Sequence, residues 1–168
     1  MKKLISFDPE VKHPCATVFR EGRWVSSERF MGFEYGWVCD VYNFLKREKP
    51  DLVVVEDQYL PVLEKKREIL ARAKSVFALV GARSYIEACC LLLGIKCERV
   101  NPLSWQVVIG GSRQGRLKCK KASMDFYREK LGMPMDDNNI TDSFCIGWYW
   151  THKETLNESS GVCADGEG

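Results

Sequence analysis

The chain opens with a short apolar run, Lys3–Asp8, that closes abruptly on a carboxylate before Pro9. Apolarity over so few residues predicts a buried central strand with an acid at its C-terminal tip. Leu52–Glu56 repeats the grammar, with three valines running into Glu56 and Asp57 directly after it. A strand apolar on both faces predicts a parallel sheet covered by helices on either side. Between the two, 14–20 and 23–30 are β-like and meet across Glu21-Gly22. That pair predicts a tight hairpin turn, so the first three strands form an antiparallel meander. The segment 33–49 places Trp37, Val38, Val41, Phe44 and Leu45 at helical spacing, and Pro50 stops it. A strand reached through a helix is expected parallel to the first, which points the tips at Asp8 and Glu56 the same way.

Downstream, 63–93 predicts a long helix, in one piece or in two meeting near Gly81. Leu70, Ala73, Phe77, Gly81, Ser84, Ala88 and Leu91 form a stripe expected to pack on the sheet. Gly94 ends it, 95–100 predicts a fifth strand, a basic loop and helix run to Leu131, and 138–151 predicts a final helix packing through Ile140, Phe144 and Trp148. The fold class expected is α/β: a five-stranded mixed sheet flanked by helices, with strands 1–3 antiparallel and strands 4 and 5 parallel to strand 1.

With 168 residues, 45% of them hydrophobic and 29% charged, the chain suits one globular domain, expected over 1–153, with an acidic flexible tail over 154–168. No run is read as long enough to span a membrane and no signal peptide is evident, so the expected location is the cytoplasm. The eight cysteines show no C-x-x-C pair, which argues against zinc and for reduced, space-filling thiols. A net charge of +2 conceals an asymmetry: from Glu154 onward there are four acids and no Lys or Arg. The basic body suits a polyanionic partner.

The chemistry lies in the acids. Asp8 and Glu56 at neighbouring strand tips, joined by Asp142 from the opening of the last helix, would put three carboxylates at one point. Such a cluster stays ionised only around a cation, and hard oxygen donors suit Mg²⁺ or Mn²⁺. Nearby, 113–130 holds seven basic residues against two acids, among them Arg113, Arg116, Lys118, Lys120 and Lys121. This is either a phosphate clamp beside the carboxylates or an ordinary solvated helix face.

In order, these features resemble the RuvC-like Holliday-junction resolvases of the RNase H-like fold, in a phage or viral member. The residues that carry the resemblance are Phe7-Asp8-Pro9, the valine strand ending at Glu56, Gly81-Ala82-Arg83, Asn101-Pro102 with Trp105-Gln106, Lys121, and Thr141-Asp142. The resemblance implies a homodimeric endonuclease that resolves four-way DNA junctions with two Mg²⁺ or Mn²⁺ ions per site, leaving 5′-phosphate and 3′-hydroxyl ends. Asp8 would bridge the ions, Glu56 and Asp142 would hold one each, and Lys121, with Lys118, would neutralise the attacked phosphate. Tyr59 would stack on an unpaired base at the branch point or sit as a half-buried loop tyrosine. Ile69, Val76 and Val80 are a candidate dimer face.

One position departs from the family, which places a second acid three residues before Asp142. This chain has Asn139 there, whose amide oxygen ligates without bringing charge. Three readings stay open: the site works with three carboxylates, Asp136, Asp137 or Asp57 lends a fourth, or the chain is a weakened variant. The competing functions are an RNase H-like nuclease on other branched DNA or RNA–DNA hybrids, a catalytically silent DNA-binding module, and an actin-like nucleotide-binding fragment. The last lacks a glycine-rich phosphate loop near Asp8.

Overall fold

The computed structural model describes residues 2–32, 36–57, 66–111 and 115–159, without the side chains of 66–72, 116 and 157–159. Five strands, β1 (Lys3–Asp8), β2 (Cys15–Arg20), β3 (Arg23–Arg29), β4 (Leu52–Glu56) and β5 (Lys96–Val100), form one sheet in the order β3-β2-β1-β4-β5. β1 pairs antiparallel with β2 and β2 with β3, whereas β1–β4 and β4–β5 are parallel. The hairpin turns at Glu21 and Gly22, both with positive φ (51° and 78°), as a two-residue turn matched to the strand twist requires. This is the expected mixed sheet, with the meander on one side of β1 and the parallel pair on the other.

Period-two alternation divides the strands between two cores. Ile5, Phe7, Val53 and Val55 face α1 (Trp37–Glu48) and α2 (Lys66–Leu92), where Val41, Phe44, Ala82 and Ile86 are buried. Leu4, Leu52, Val54 and Val100 face the opposite layer with Trp105 of α3 (Pro102–Val108), Tyr127 of α4 (Arg116–Leu131) and Phe144 of α5 (Asn138–Ser159). By the same alternation Asp8 and Glu56 belong to the α5 face.

Three expectations need correction, and one open alternative is decided: the long helix is one continuous element from Lys66, without a break at Gly81. Its buried side is Ala82, Arg83, Ile86, Cys89 and Cys90, while Phe77 and Leu91 of the expected stripe are 66% and 81% exposed. A helix apolar on most sides gives no single direction to bury, and Gly81 has nothing within 4 Å of a would-be Cβ. Ala73–Leu92 is moreover long and apolar enough to cross a membrane by composition, contrary to the reading of the run lengths, although one side of this helix packs into the core. Finally, α5 continues through Ser159 rather than ending at 151, so the first part of the expected flexible tail is helical. The first strong breaker after 138 other than the tightly packed Gly147 is Gly161, beyond the helix end.

Candidate functional site

β1 and β4 run in register, with Leu4 beside Leu52, Ser6 beside Val54 and Phe7 beside Val55. One step further along come Asp8 and Glu56, on the face that α5 covers. The helix is drawn down by buried polar contacts: the Ser6 hydroxyl donates to the Ser143 carbonyl at 2.6 Å, and the Thr17 and Ser143 hydroxyls lie 2.8 Å apart. Gly147 allows this approach, because a Cβ there would stand 2.3 Å from Phe19 Cε2 and 2.5 Å from Ser6 Oγ. At its start α5 is capped by Asp137, whose Oδ1 accepts from the Asn139 N–H at 2.9 Å. Asp142, one turn in, thereby reaches the strand tips.

The outcome is a pocket of about 400 Å³ lined by Asp8, Glu10, Glu56, Trp105, Gln106, Gly111, Cys119, Lys120, Asn139 and Asp142, among others. Burial pushes the Asp8 carboxyl well above its usual range; Glu56, Asp142 and Glu10 raise it further, and Lys120 acts in the opposite direction. Trp105 steadies Glu56, its Nε1–H donating to Oε1 at 3.0 Å. That indole is fixed by α3, where the Asn101 side chain caps the Leu103 N–H at 2.9 Å and Pro102 occupies the first turn. Asn101, Pro102 and Trp105, which the resemblance singled out without a role, thus form the mount for Glu56. Cys119 is a bystander: burial, then Asp142 and Glu56, push its thiol up to about 11, so it remains protonated at neutral pH.

The structure therefore brings Asp8, Glu56, Asn139 and Asp142 to one pocket. Lys120 joins them, whereas Lys121 and Lys118 are exposed on the outside of α4. Lys120 shares the inward stripe of Ser123 and Tyr127 at three- and four-residue spacing, and Lys121 is turned a further 100° around the helix. Tyr59 and Arg113, and the side chain of Arg116, lie outside the described residues. Two of the candidate fourth acids are engaged elsewhere. Asp57 pairs with Arg83 of α2, and Asp137 holds Arg29 at 2.8 Å while capping α5. Asp136 is exposed. Glu10, which the sequence reading passed over, is on the pocket wall.

Among the described residues, no group of three or more His, Cys, Asp or Glu is arranged to hold a metal ion. The donor chemistry nevertheless fits one: carboxylate oxygens and an amide oxygen suit a hard divalent cation. A raised Asp8 also marks a place short of positive charge. Like charges stand apart until a cation lies between them, so the side chains would have to draw together on binding.

No protein-family model matches the sequence, and a search of curated proteins found no match. Solved structures do match. Thermus thermophilus RuvC in complex with Holliday junction substrate is 17% identical, with 91% of this chain and 96% of that one covered and a TM-score of 0.64. The fowlpox virus resolvase, solved with Holliday junction DNA, is 18% identical over 92% and 98%, with a TM-score of 0.56. The yeast mitochondrial Holliday junction resolvase Ydc2 is 14% identical over 94% and 81%, at 0.53. At these identities the likeness establishes a shared fold across nearly the whole chain.

Proposed function

We propose that this chain is a structure-selective endonuclease that cuts four-way DNA junctions in the pocket of Asp8, Glu56 and Asp142. The observation that carries the reading is the gathering of these acids with Lys120 in one pocket, within a fold shared with resolvases that were solved on junction DNA. Asp8, Glu56 and Asp142, helped by the Asn139 amide oxygen, would hold Mg²⁺ or Mn²⁺, two ions per site. Bound there, the metal supplies Lewis-acid stabilisation of the phosphoryl charge and lowers the pKa of water. The Lys120 ammonium, half-buried at the pocket wall, neutralises the scissile phosphate and orients it. Trp105 keeps Glu56 from swinging away. Hydrolysis adds the water oxygen to phosphorus and releases the 3′-oxygen, giving 5′-phosphate and 3′-hydroxyl ends. Lys118 and Lys121, exposed on α4, contact flanking phosphates, so binding weakens as salt rises.

A four-way junction is two-fold symmetric and needs two matched cuts, which a homodimer with one site per subunit provides. The outward stripe of α2 is the surface for the second copy. Phe77, Leu91 and Leu92 are 66%, 81% and 75% exposed, with Ser84 and Ala88 exposed between them. Val76 and Val80, the residues expected to form this face, are half-buried, and the side chain of Ile69 lies outside the described residues. The double variant Phe77→Glu and Leu91→Glu is expected to sediment as a folded monomer where the wild type sediments as a dimer. A wild type that is monomeric under the same conditions would refute this face.

Substrate choice is tested by incubating the protein in Mg²⁺ with a labelled four-way junction, a linear duplex and an RNA–DNA hybrid. The junction is expected to be cut preferentially. Equal cutting of all three would indicate a general RNase H-like nuclease, and metal-independent binding without cutting a silent DNA-binding module.

A further inference from the structure

We infer that Glu10 is the fourth acid of the pocket, a metal-holding side chain that supplies from the β1 loop the charge Asn139 does not bring. The inference rests on the metal-dependent reading of the pocket. Three observations of geometry carry it. Glu10 lines the same pocket as Asp8, Glu56, Asn139 and Asp142. It arrives there through a tight turn: its N–H donates to the Asp8 carbonyl two residues back at 2.9 Å. That is the pattern of a three-residue turn centred on Pro9, whose ring holds φ near the value such a turn needs. The turn folds the chain back at once, so that a residue just past the strand tip stays beside it.

The side chain is also anchored, since its Oε2 accepts from the His13 N–H at 2.7 Å. One oxygen is thus held against the loop backbone, and Oε1 is the one available to a cation. A glutamate serving only solubility would gain nothing from lining a pocket with three other carboxylates, because like charges repel. Its placement is reasonable once a cation is shared among them. Asp57, Asp136 and Asp137 do not offer the same service, being paired with Arg83, exposed, and committed to the helix cap and Arg29, respectively.

The test is Mn²⁺ binding to the DNA-free protein, measured by titration calorimetry and by electron paramagnetic resonance of free Mn²⁺. Wild type, E10Q, D8N and the double variant E10Q/N139D are compared. Glutamine keeps the shape and an oxygen for the His13 N–H, so the loop remains folded. E10Q is expected to weaken Mn²⁺ binding by at least the roughly 10- to 100-fold that loss of an outer-shell partner costs, and adding N139D is expected to recover most of the loss, which a purely structural role for Glu10 would not produce. If D8N loses the metal while E10Q binds as wild type does, the Glu10 assignment fails and the pocket reading stands. If the wild type takes up no Mn²⁺, both fail.

Discussion

Asp8→Asn is expected to abolish junction cutting and at the same time make the metal-free protein more stable at neutral pH. The two effects share one cause. Asp8 is half-buried at the strand tip; desolvation there, with Glu56, Asp142 and Glu10 near, raises its carboxyl well above its ordinary range. A raised acid holds its proton more tightly in the folded state than in the unfolded chain. The contribution of this one group to stability is then greatest at low pH, and it is lost as pH rises from the ordinary carboxylate range through the folded value. At neutral pH the ionised group is a cost that the amide removes. Relief of such a charge cluster is worth about 0.5–2 kcal/mol, or roughly 1–8 °C in Tm for a chain of this size. Cutting falls on the order of 10²–10³-fold or more, the scale seen when one charge-stabilising group leaves a preorganised site. Thermal melts from acid to neutral pH, with and without Mg²⁺, check both halves. The variant's advantage grows with pH in the absence of metal, and Mg²⁺ raises the Tm of the wild type but not of D8N. A D8N protein less stable than wild type at neutral pH without metal would show that Asp8 is not under electrostatic strain.

Gly147→Ala is the second large effect, and it runs against helix propensity. In an exposed helix the exchange would gain about 1 kcal/mol. Here the added methyl meets Phe19 and Ser6 at 2.3 and 2.5 Å, and Phe19 has little room to yield, being buried and stacked on Phe144 with centroids 5.7 Å apart. Overpacking of this kind costs about 1–3 kcal/mol, occasionally more, so the net change is destabilising. Function suffers further, because α5 can relieve the contact only by lifting off β1 and carrying Asp142 with it. A displacement near 1 Å costs about 10²-fold in rate. Melting curves and nicking rates well below the midpoint separate the two effects, and a G147A protein with a higher Tm and full activity would contradict the close approach of α5.

Much of this was legible in the sequence because the strands are extreme. Lys3–Asp8 and Leu52–Glu56 are short and largely apolar, so burial follows, the helix between them makes the two parallel, and the acids at their tips stand out against them. A diffuse signal carries less. α2 is apolar on most of its circumference, so its pattern points the stripe through Phe77 and Leu91 at the sheet, although that stripe faces outward. Lys120 and Lys121 are adjacent in sequence and differ only in which side of α4 they occupy, a matter decided by the packing of Ser123 and Tyr127. Glu10 carries no pattern of its own in the sequence. The signal that could have raised it was the run Asp8-Pro9-Glu10, since a proline directly after a strand tip favours a turn that keeps the next side chain near that tip.

The most direct measurement is the nicking of a four-way junction by wild type and Asp142→Asn across a Mg²⁺ titration. Asp142 is the acid contributed from farthest along the chain, and only the fold brings it to the strand tips. The expected result is no cutting in chelator, matched cuts that rise with Mg²⁺ in the wild type, and a flat response from the variant. Cutting in chelator, or a variant that cuts as the wild type does, would contradict a shared carboxylate site.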